Sequence, residues 1–223
     1  MEPTVCKILK IEPITHNVKR FTIEKPADLT FVPGQAADVS INLPEWKEQL
    51  RPFTFTGLND WKDLEFTIKI YNDHKGVTEQ LGKLKAGDAL VIHGVFGAIH
   101  YYGEGTFIAG GAGVTPFIAI FRQLKKENKL GKNTLVFSNK TEKDIILKDE
   151  FTQLLNSRFI NTLDGEKSPK YDFGTIDKKY LSAKINDFGQ YFYICGPDPM
   201  LEAIQKILVD LGARKERVIM EKF

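Results

Sequence analysis

Four short clusters in this sequence combine residue types and spacing suited to holding an anion. The first is Gly110-Gly111-Ala112-Gly113-Val114-Thr115-Pro116, which follows an apolar run and opens a helical stripe. Glycines let a backbone approach a ligand closely, and a helix start offers unpaired N–H groups and the positive end of a dipole. Thr115 can cap that helix, and Pro116 suits its first turn. The pattern fits an anionic ligand such as a pyrophosphate; the alternative is a tight turn whose glycines serve packing. The spacing is not that of the common Gly-x-Gly-x-x-Gly turn.

The second cluster, Cys195-Gly196-Pro197-Asp198-Pro199-Met200, also lies between an apolar run and a helical stripe. In an open parallel sheet, ligands bind beyond the carboxyl ends of the strands, so Cys195 and residues 110–115 would line one crevice. Taken alone, Cys195 reads as a small buried hydrophobe. The third cluster is Arg51-Pro52-Phe53-Thr54. Arg51 has a planar fork suited to phosphate, Phe53 an aromatic face, and Thr54 a hydroxyl that donates or accepts. Its plainer reading is an edge strand with arginine at the rim and phenylalanine in the core. The fourth, Lys75-Gly76-Val77-Thr78, heads a short helix and presents amide donors to an anion, or is simply a helix start that Thr78 caps.

These clusters need elements to position them, and the two halves of the chain have different periods. Ala37 to Leu43 and Leu64 to Ile70 alternate apolar and polar, the mark of half-buried antiparallel strands. Val5 to Ile11, Val18 to Ile23, Phe53 to Thr56 and Ala89 to Ile92 complete six strands, which suggests a small β-barrel with one helix near Thr78 to Leu84. After Tyr102 the strands become uniformly apolar: Thr106 to Ala109, Leu135 to Phe137, Phe159 to Leu163 and Tyr191 to Ile194. Helical stripes alternate with them, including one expected from Lys143 to Leu155. That grammar means a parallel α/β sheet covered on both faces. The expected domains are 1–102 and 103–223.

The formal net charge of +2 gives no global nucleic-acid signature. Two cysteines are too few for a disulfide scaffold or a thiolate-ligated iron–sulfur cluster. No stretch approaches the roughly 18–20 apolar residues of a membrane helix, and the N-terminus has no signal-peptide pattern, so a cytoplasmic, monomeric protein free of membrane and nucleic acid is expected.

In this order and on these elements, the four clusters resemble the ferredoxin–NADP⁺ reductase superfamily over essentially the whole chain, above all its short bacterial ferredoxin or flavodoxin reductases. The resemblance implies FAD on the β-barrel and NADP(H) or NAD(H) on the α/β domain. Arg51 would meet the flavin phosphates, Phe53 would pack on the isoalloxazine, and Thr54 would bond near its reactive nitrogen. Pro52, Ile68 and Lys69 would join them, and Gly76, Val77 and Thr78 would cradle the pyrophosphate. Gly111, Gly113, Val114, Thr115 and Pro116 would hold the nicotinamide nucleotide, with Cys195, Gly196, Pro197 and Met200 near its ring. The ending Glu221-Lys222-Phe223 is similar to the family's Glu-x-aromatic terminus. Phe223 would cover the flavin where nicotinamide docks, and Glu221 would stabilise the nicotinamide or relay a proton. Thr54, Cys195 and Glu221 are thus the expected catalytic residues.

The implied reaction takes a hydride from NAD(P)H and releases electrons singly. Without an iron–sulfur cysteine set, the acceptor is expected to be a separate carrier, flavodoxin or ferredoxin, steered by the basic run Arg122, Lys125, Lys126, Lys129 and Lys132. A reductase of free flavin, ferric complexes or an oxygenase partner is the second reading, and a non-enzymatic nucleotide-binding module the third. Ser138 and Lys140, with no acid at 138–141, lean the nucleotide toward NADPH, although Thr175 stands where many NADPH-using relatives carry arginine.

Overall fold

The computed structural model describes residues 2–221, so the expectation for Phe223 lies outside the described residues. The chain divides into two compact units. The first is built on six antiparallel strands: β1 (Thr4–Thr15), β2 (Val18–Glu24), β3 (Ala36–Ile41), β4 (Arg51–Thr54), β5 (Asp63–Lys69) and β6 (Ala89–Phe96). Their order is β4-β3-β6-β1-β2-β5. A bridge between Phe55 and Phe66 joins the chain beyond β4 to β5 and closes the barrel. Alternation sends Ile8, Phe21, Ile23, Val39 and Phe66 into a common core. Phe31, Phe55 and Phe66 stack through it, with centroids 4.1 and 5.0 Å apart. The short helix α1 (Val77–Lys83) adds Val77 and Leu81 to that core.

The second unit holds six parallel strands: β7 (Gly105–Gly110), β8 (Thr134–Asn139), β9 (Phe159–Leu163), β10 (Asp172–Phe173), β11 (Tyr191–Cys195) and β12 (Val218–Met220). Their order is β10-β9-β8-β7-β11-β12. The chain steps outward from β7 to β10, then returns to β11 on the other side of β7. The strand order therefore reverses between β7 and β11, and ligands of open parallel sheets bind beyond the strand ends at such a point. Uniformly apolar strands follow from cover on both faces. On one face Ile108, Val136, Phe192 and Ile194 meet Leu181 of α4 (Lys178–Lys184) and Leu201, Ile204 and Leu208 of α5 (Asp198–Asp210).

The segment expected as one helix from Lys143 to Leu155 is different. A single 3₁₀ turn at Glu142–Asp144 is separated from α3 (Lys148–Leu155) by Leu147, which sits in the left-handed region at φ 51°. Ile145 and Ile146 are buried in the break, so their apolar side chains mimic a helical stripe. The two-residue strand β10 and the polar helix α4 had no periodic signal long enough to read.

Helix α2 (Thr115–Lys126) follows the glycine cluster. Its residues Thr115–Gln123 group with the barrel unit. The reason is visible at Arg122, whose Nη1 meets Glu65 Oε1 at 2.6 Å and donates to the Thr56 carbonyl at 2.8 Å. Arg20 lies 3.4 Å from the other oxygen of Glu65, and the Thr56 hydroxyl donates to Glu65 at 2.8 Å. The side chains of Arg122 and Glu65 are only 11% and 10% exposed. Arg122 is therefore not part of a solvent-facing basic run, which corrects that expectation.

Candidate functional site

In the barrel unit, β4 pairs with β3 so that Phe53 lies opposite Ala37 and Thr54 opposite Ala36. Arg51 at the strand's start is exposed, and its Nη1 donates to the neighbouring Leu50 carbonyl at 2.7 Å. Thr54 is buried, while Phe53 is half-buried with part of its ring against the barrel core. Ile68 points into that core, which leaves its backbone as the part able to meet a ligand. Lys69, on the opposite side of β5, lies over the Tyr71 ring at 5.7 Å.

Helix α1 starts differently from a plain capped helix. Its N-cap is Gly76, with no side-chain cap hydrogen bond, and Thr78 lies inside the first turn. Capping by Thr78 is thus excluded. Glu79 accepts the Lys75 amide at 2.9 Å, which fixes the loop while the first helical amides stay open to an anion.

In the parallel unit the two glycine-bearing clusters, far apart in sequence, form one structure. A 3₁₀ turn, Gly111–Val114, follows β7 directly. A Cβ on Gly113 would lie 2.3 Å from the Cys195 carbonyl oxygen, and one on Gly110 would lie 2.4 Å from Met200 Sδ. Close packing therefore accounts for these two glycines. Val114 is buried beneath the turn, and Pro197 is exposed beyond β11.

Cys195 ends β11 opposite Ala109, at the point where the strand order reverses. It is 3% exposed, and burial first, then the Glu221 charge, pushes its thiol up to about 12. It is a neutral, compact group at neutral pH, suited to lying against a ring rather than to attacking one. Ile194 pairs with Met220, so the next residues, Cys195 and Glu221, are neighbours in register. Glu221 Oε1 accepts the Ala98 amide at 3.0 Å. Its Oε2 is buried without a hydrogen-bond partner among the described residues. Burial raises the Glu221 carboxyl against the opposing pull of the Ala98 amide and His100.

Near the end of β8, Ser138 is half-buried, and just beyond the strand Lys140 is exposed. The segment after β9 runs beside this loop, and one carboxylate from it, Glu166, reaches it. The Asp164 amide donates to the Asn139 carbonyl at 3.1 Å and the Gly165 amide to the Lys140 carbonyl at 2.9 Å. Glu166 accepts the Glu142 amide at 3.0 Å. Sequence reasoning searched only 138–141 for an acid and missed Asp164 and Glu166; pairing of β8 with β9 is the signal that finds them. It also missed Asn139, which is 5% exposed with neither side-chain polar atom partnered.

An FAD and a pyridine nucleotide fit these groups. Arg51 offers an exposed cation, α1 an uncapped start, and Glu221 an unpartnered buried acceptor at the reversal point of the sheet.

Comparison with known proteins bears on both halves of the chain. The oxidoreductase FAD-binding domain family matches residues 5–101, and the oxidoreductase NAD-binding domain family matches residues 107–206. The chain is 31% identical to NADH-cytochrome b5 reductase 1 of Kluyveromyces lactis, over 97% of this chain and 82% of that protein. Its fold matches the cytochrome b5 reductase domain of Ulva prolifera nitrate reductase, with TM-score 0.83 and 25% identity over 100% of this chain and 97% of that one. It also matches a ferredoxin NADP⁺ reductase from Neisseria gonorrhoeae, with TM-score 0.85 and 18% identity over 99% and 98% of the two chains. The chain belongs to the ferredoxin reductase-like family of flavoprotein oxidoreductases. Within it, the chain is an FAD-containing NAD(P)H oxidoreductase.

Proposed function

We propose that the protein takes electrons from NADH and passes them, through FAD, to a separate haem protein of the cytochrome b5 kind. The observation that carries this reading is the similarity to an NADH-cytochrome b5 reductase along 97% of the chain. It moves the expected acceptor away from flavodoxin and ferredoxin. Asp164 favours NADH: an exposed acid just beyond β9, its backbone amide joined to the end of β8, would suit a ribose diol and repel a 2′-phosphate. The lean toward NADPH assumed that no acid opposed Lys140.

Bound FAD supplies the chemistry of accepting a hydride from the nicotinamide and giving up electrons singly. The chain's residues bind, orient and poise. Arg51 and the open amides at the start of α1 hold the flavin phosphates, and Thr54 offers a hydroxyl to the ring. The turn at residues 111–114 and the start of α2 hold the nucleotide phosphates. Cys195 gives the nicotinamide a compact neutral surface, and Glu221 Oε2 accepts an N–H from its carboxamide. Lys125, Lys126, Lys129 and Lys132 bias approach toward an acidic partner.

Anaerobic stopped-flow mixing tests both halves of the reading. NADH should bleach the flavin with a kcat/KM at least about tenfold above that for NADPH, the scale of one good ionic contact. Cytochrome b5 should then reoxidise the protein faster than flavodoxin or ferredoxin. Preference for NADPH overturns the donor assignment, and faster reoxidation by flavodoxin or ferredoxin overturns the acceptor.

A further inference from the structure

The outer edge of the parallel sheet is open over part of its length. Strand β10 pairs only with Thr162 and Leu163 of β9, whereas β8 pairs with every residue of β9 on the other side. The Asp164 amide donates to Asn139 on the β8 side, and the Leu163 carbonyl accepts the Gly174 amide on the outer side. Backbone groups alternate sides along a strand, so Phe159 and Asn161 face outward as Leu163 does. The Phe159 amide is taken by the Asn156 carbonyl. The Phe159 carbonyl and the Asn161 amide remain, and no residue outside the strand ladders meets them among the described residues.

The chain beside this edge is unable to close it. Pro169 has no N–H. The Lys170 and Tyr171 amides turn back to Ser168, one to its hydroxyl at 3.3 Å and the other to its carbonyl at 3.5 Å. A groove of about 480 Å³ is lined here by residues 159–161 of β9, by Lys148 and Thr152 of α3, and by residues 169–172. Asn161 is 8% exposed, and its Oδ1 has no hydrogen-bond partner among the described residues. A backbone edge and a side-chain amide in one groove suit a ligand that is itself made of amides.

Charge narrows the choice. Lys148 meets Glu142 at 2.6 Å, and Asp172 meets Lys184 at 2.7 Å. Lys170 is exposed and has no ion-pair partner among the described residues. Phe159, Ile160 and Pro169 give the groove its apolar lining.

We propose that this edge is a docking site for an extended segment of a partner protein, which adds to β9 as a strand and alternates acidic with apolar side chains. The guest gives an N–H to the Phe159 carbonyl and a C=O to the Asn161 amide, the pairing that β10 leaves unmade. An acidic side chain meets Lys170, and an apolar one lies against Phe159 and Pro169. A lone small anion would use Lys170 and leave the backbone groups unmet. The site lies along the first residues of β9, two strands from β7, and so is separate from the reversal point of the sheet. It does not depend on the donor and acceptor proposed above.

The test uses the FAD-loaded protein and a fluorescent pentapeptide with blocked ends that alternates glutamate with valine. At low ionic strength its anisotropy should rise to saturation. The same peptide N-methylated at its internal amides should bind at least about tenfold more weakly, the scale of two backbone hydrogen bonds. Lys170→Glu should weaken the glutamate peptide about three- to tenfold, and a peptide with lysine in place of glutamate should bind that variant better than it binds the parent. Hydrogen exchange should slow at the Asn161 amide when the peptide is bound. Equal affinity of the N-methylated peptide means adsorption through side chains and overturns strand addition. Absence of binding means that Pro169 and Lys170 only guard the edge, and overturns the proposal. Displacement of the peptide by NAD⁺ assigns the groove to the nucleotide and overturns it as well. Protein dimerisation that protects Asn161 without peptide assigns the edge to a second copy, with the same consequence.

Discussion

In the barrel unit, Arg51, Thr54 and Lys69 present side chains from strands of period two, where a side chain is exchanged with little backbone movement. In the parallel unit, Gly110 and Gly113 bring the turn after β7 against the main chain and Met200 of the segment after β11, closer than a Cβ would allow. On the proposed reading, the first arrangement would specify a ligand by chemical groups at low structural cost, and the second by backbone shape, so that a change in the site would be a change in the fold. Mutations should divide accordingly: loss of cofactor with the fold intact in the barrel, loss of the fold in the parallel unit.

The largest expected effect breaks this division. Glu65 is the barrel's exception, because its removal takes from Arg122 and Arg20 a carboxylate that is itself nearly buried. Glu65→Ala should destabilise the protein by about 3–5 kcal/mol, read by chemical denaturation. A loss below about 1 kcal/mol would show that the ion pair behaves as a surface pair.

Next comes Gly113→Ala. The added Cβ meets a carbonyl oxygen, which is backbone and cannot swing away. The cost should be about 3 kcal/mol, the upper end for overpacking, and should appear in thermal melting before any loss of FAD. A variant with parental melting refutes the interlock. Arg51→Ala is the counterpart in the barrel. It should lower flavin affinity by about 1.5–3 kcal/mol while leaving the melting of the apoprotein unchanged. Full flavin retention would remove Arg51 from the phosphate site.

The smallest effect concerns the two cysteines, one in each unit. Burial raises Cys6 to about 11 and Cys195 to about 12 from an ordinary 9.0. The unfolded chain therefore releases these protons first, and the stability they favour, complete below about pH 9, falls as pH rises toward the folded values. Native protein should react negligibly with a thiol reagent at about pH 8 and release two equivalents on unfolding. Rapid reaction of one thiol in the native state would mean that its unit opens readily.

Periodic features were legible in the sequence, and features made by pairing were not. Two clearly alternating strands with four further candidates, and four uniformly apolar ones, announced the two architectures because each class carries its own pattern. The glycine and Cys-Gly-Pro clusters announced the turns beyond the carboxyl ends of β7 and β11. Arg122 was misassigned because a run of like charges looks the same whether one member turns inward or not; only Glu65, on a distant strand, reveals it. Asp164 and Glu166 were invisible for a related reason, since they serve a loop on the neighbouring strand. Leu147 broke an apparent helix at a residue type that seldom takes the left-handed conformation.

The grouping of Thr115–Gln123 with the barrel bears on how this protein can be cut and recombined. A fragment ending at residue 97 would omit the helix segment that supplies Arg122 to Glu65, and the isolated barrel would expose that carboxylate and the surface around it. A chimera that exchanges the two halves at a single crossover would pair Glu65 with a stranger's helix. The heritable module of the flavin half is therefore discontinuous in the gene, and shuffling that respects it needs two junctions more than the linear order suggests, flanking nine residues of α2 that travel with the barrel.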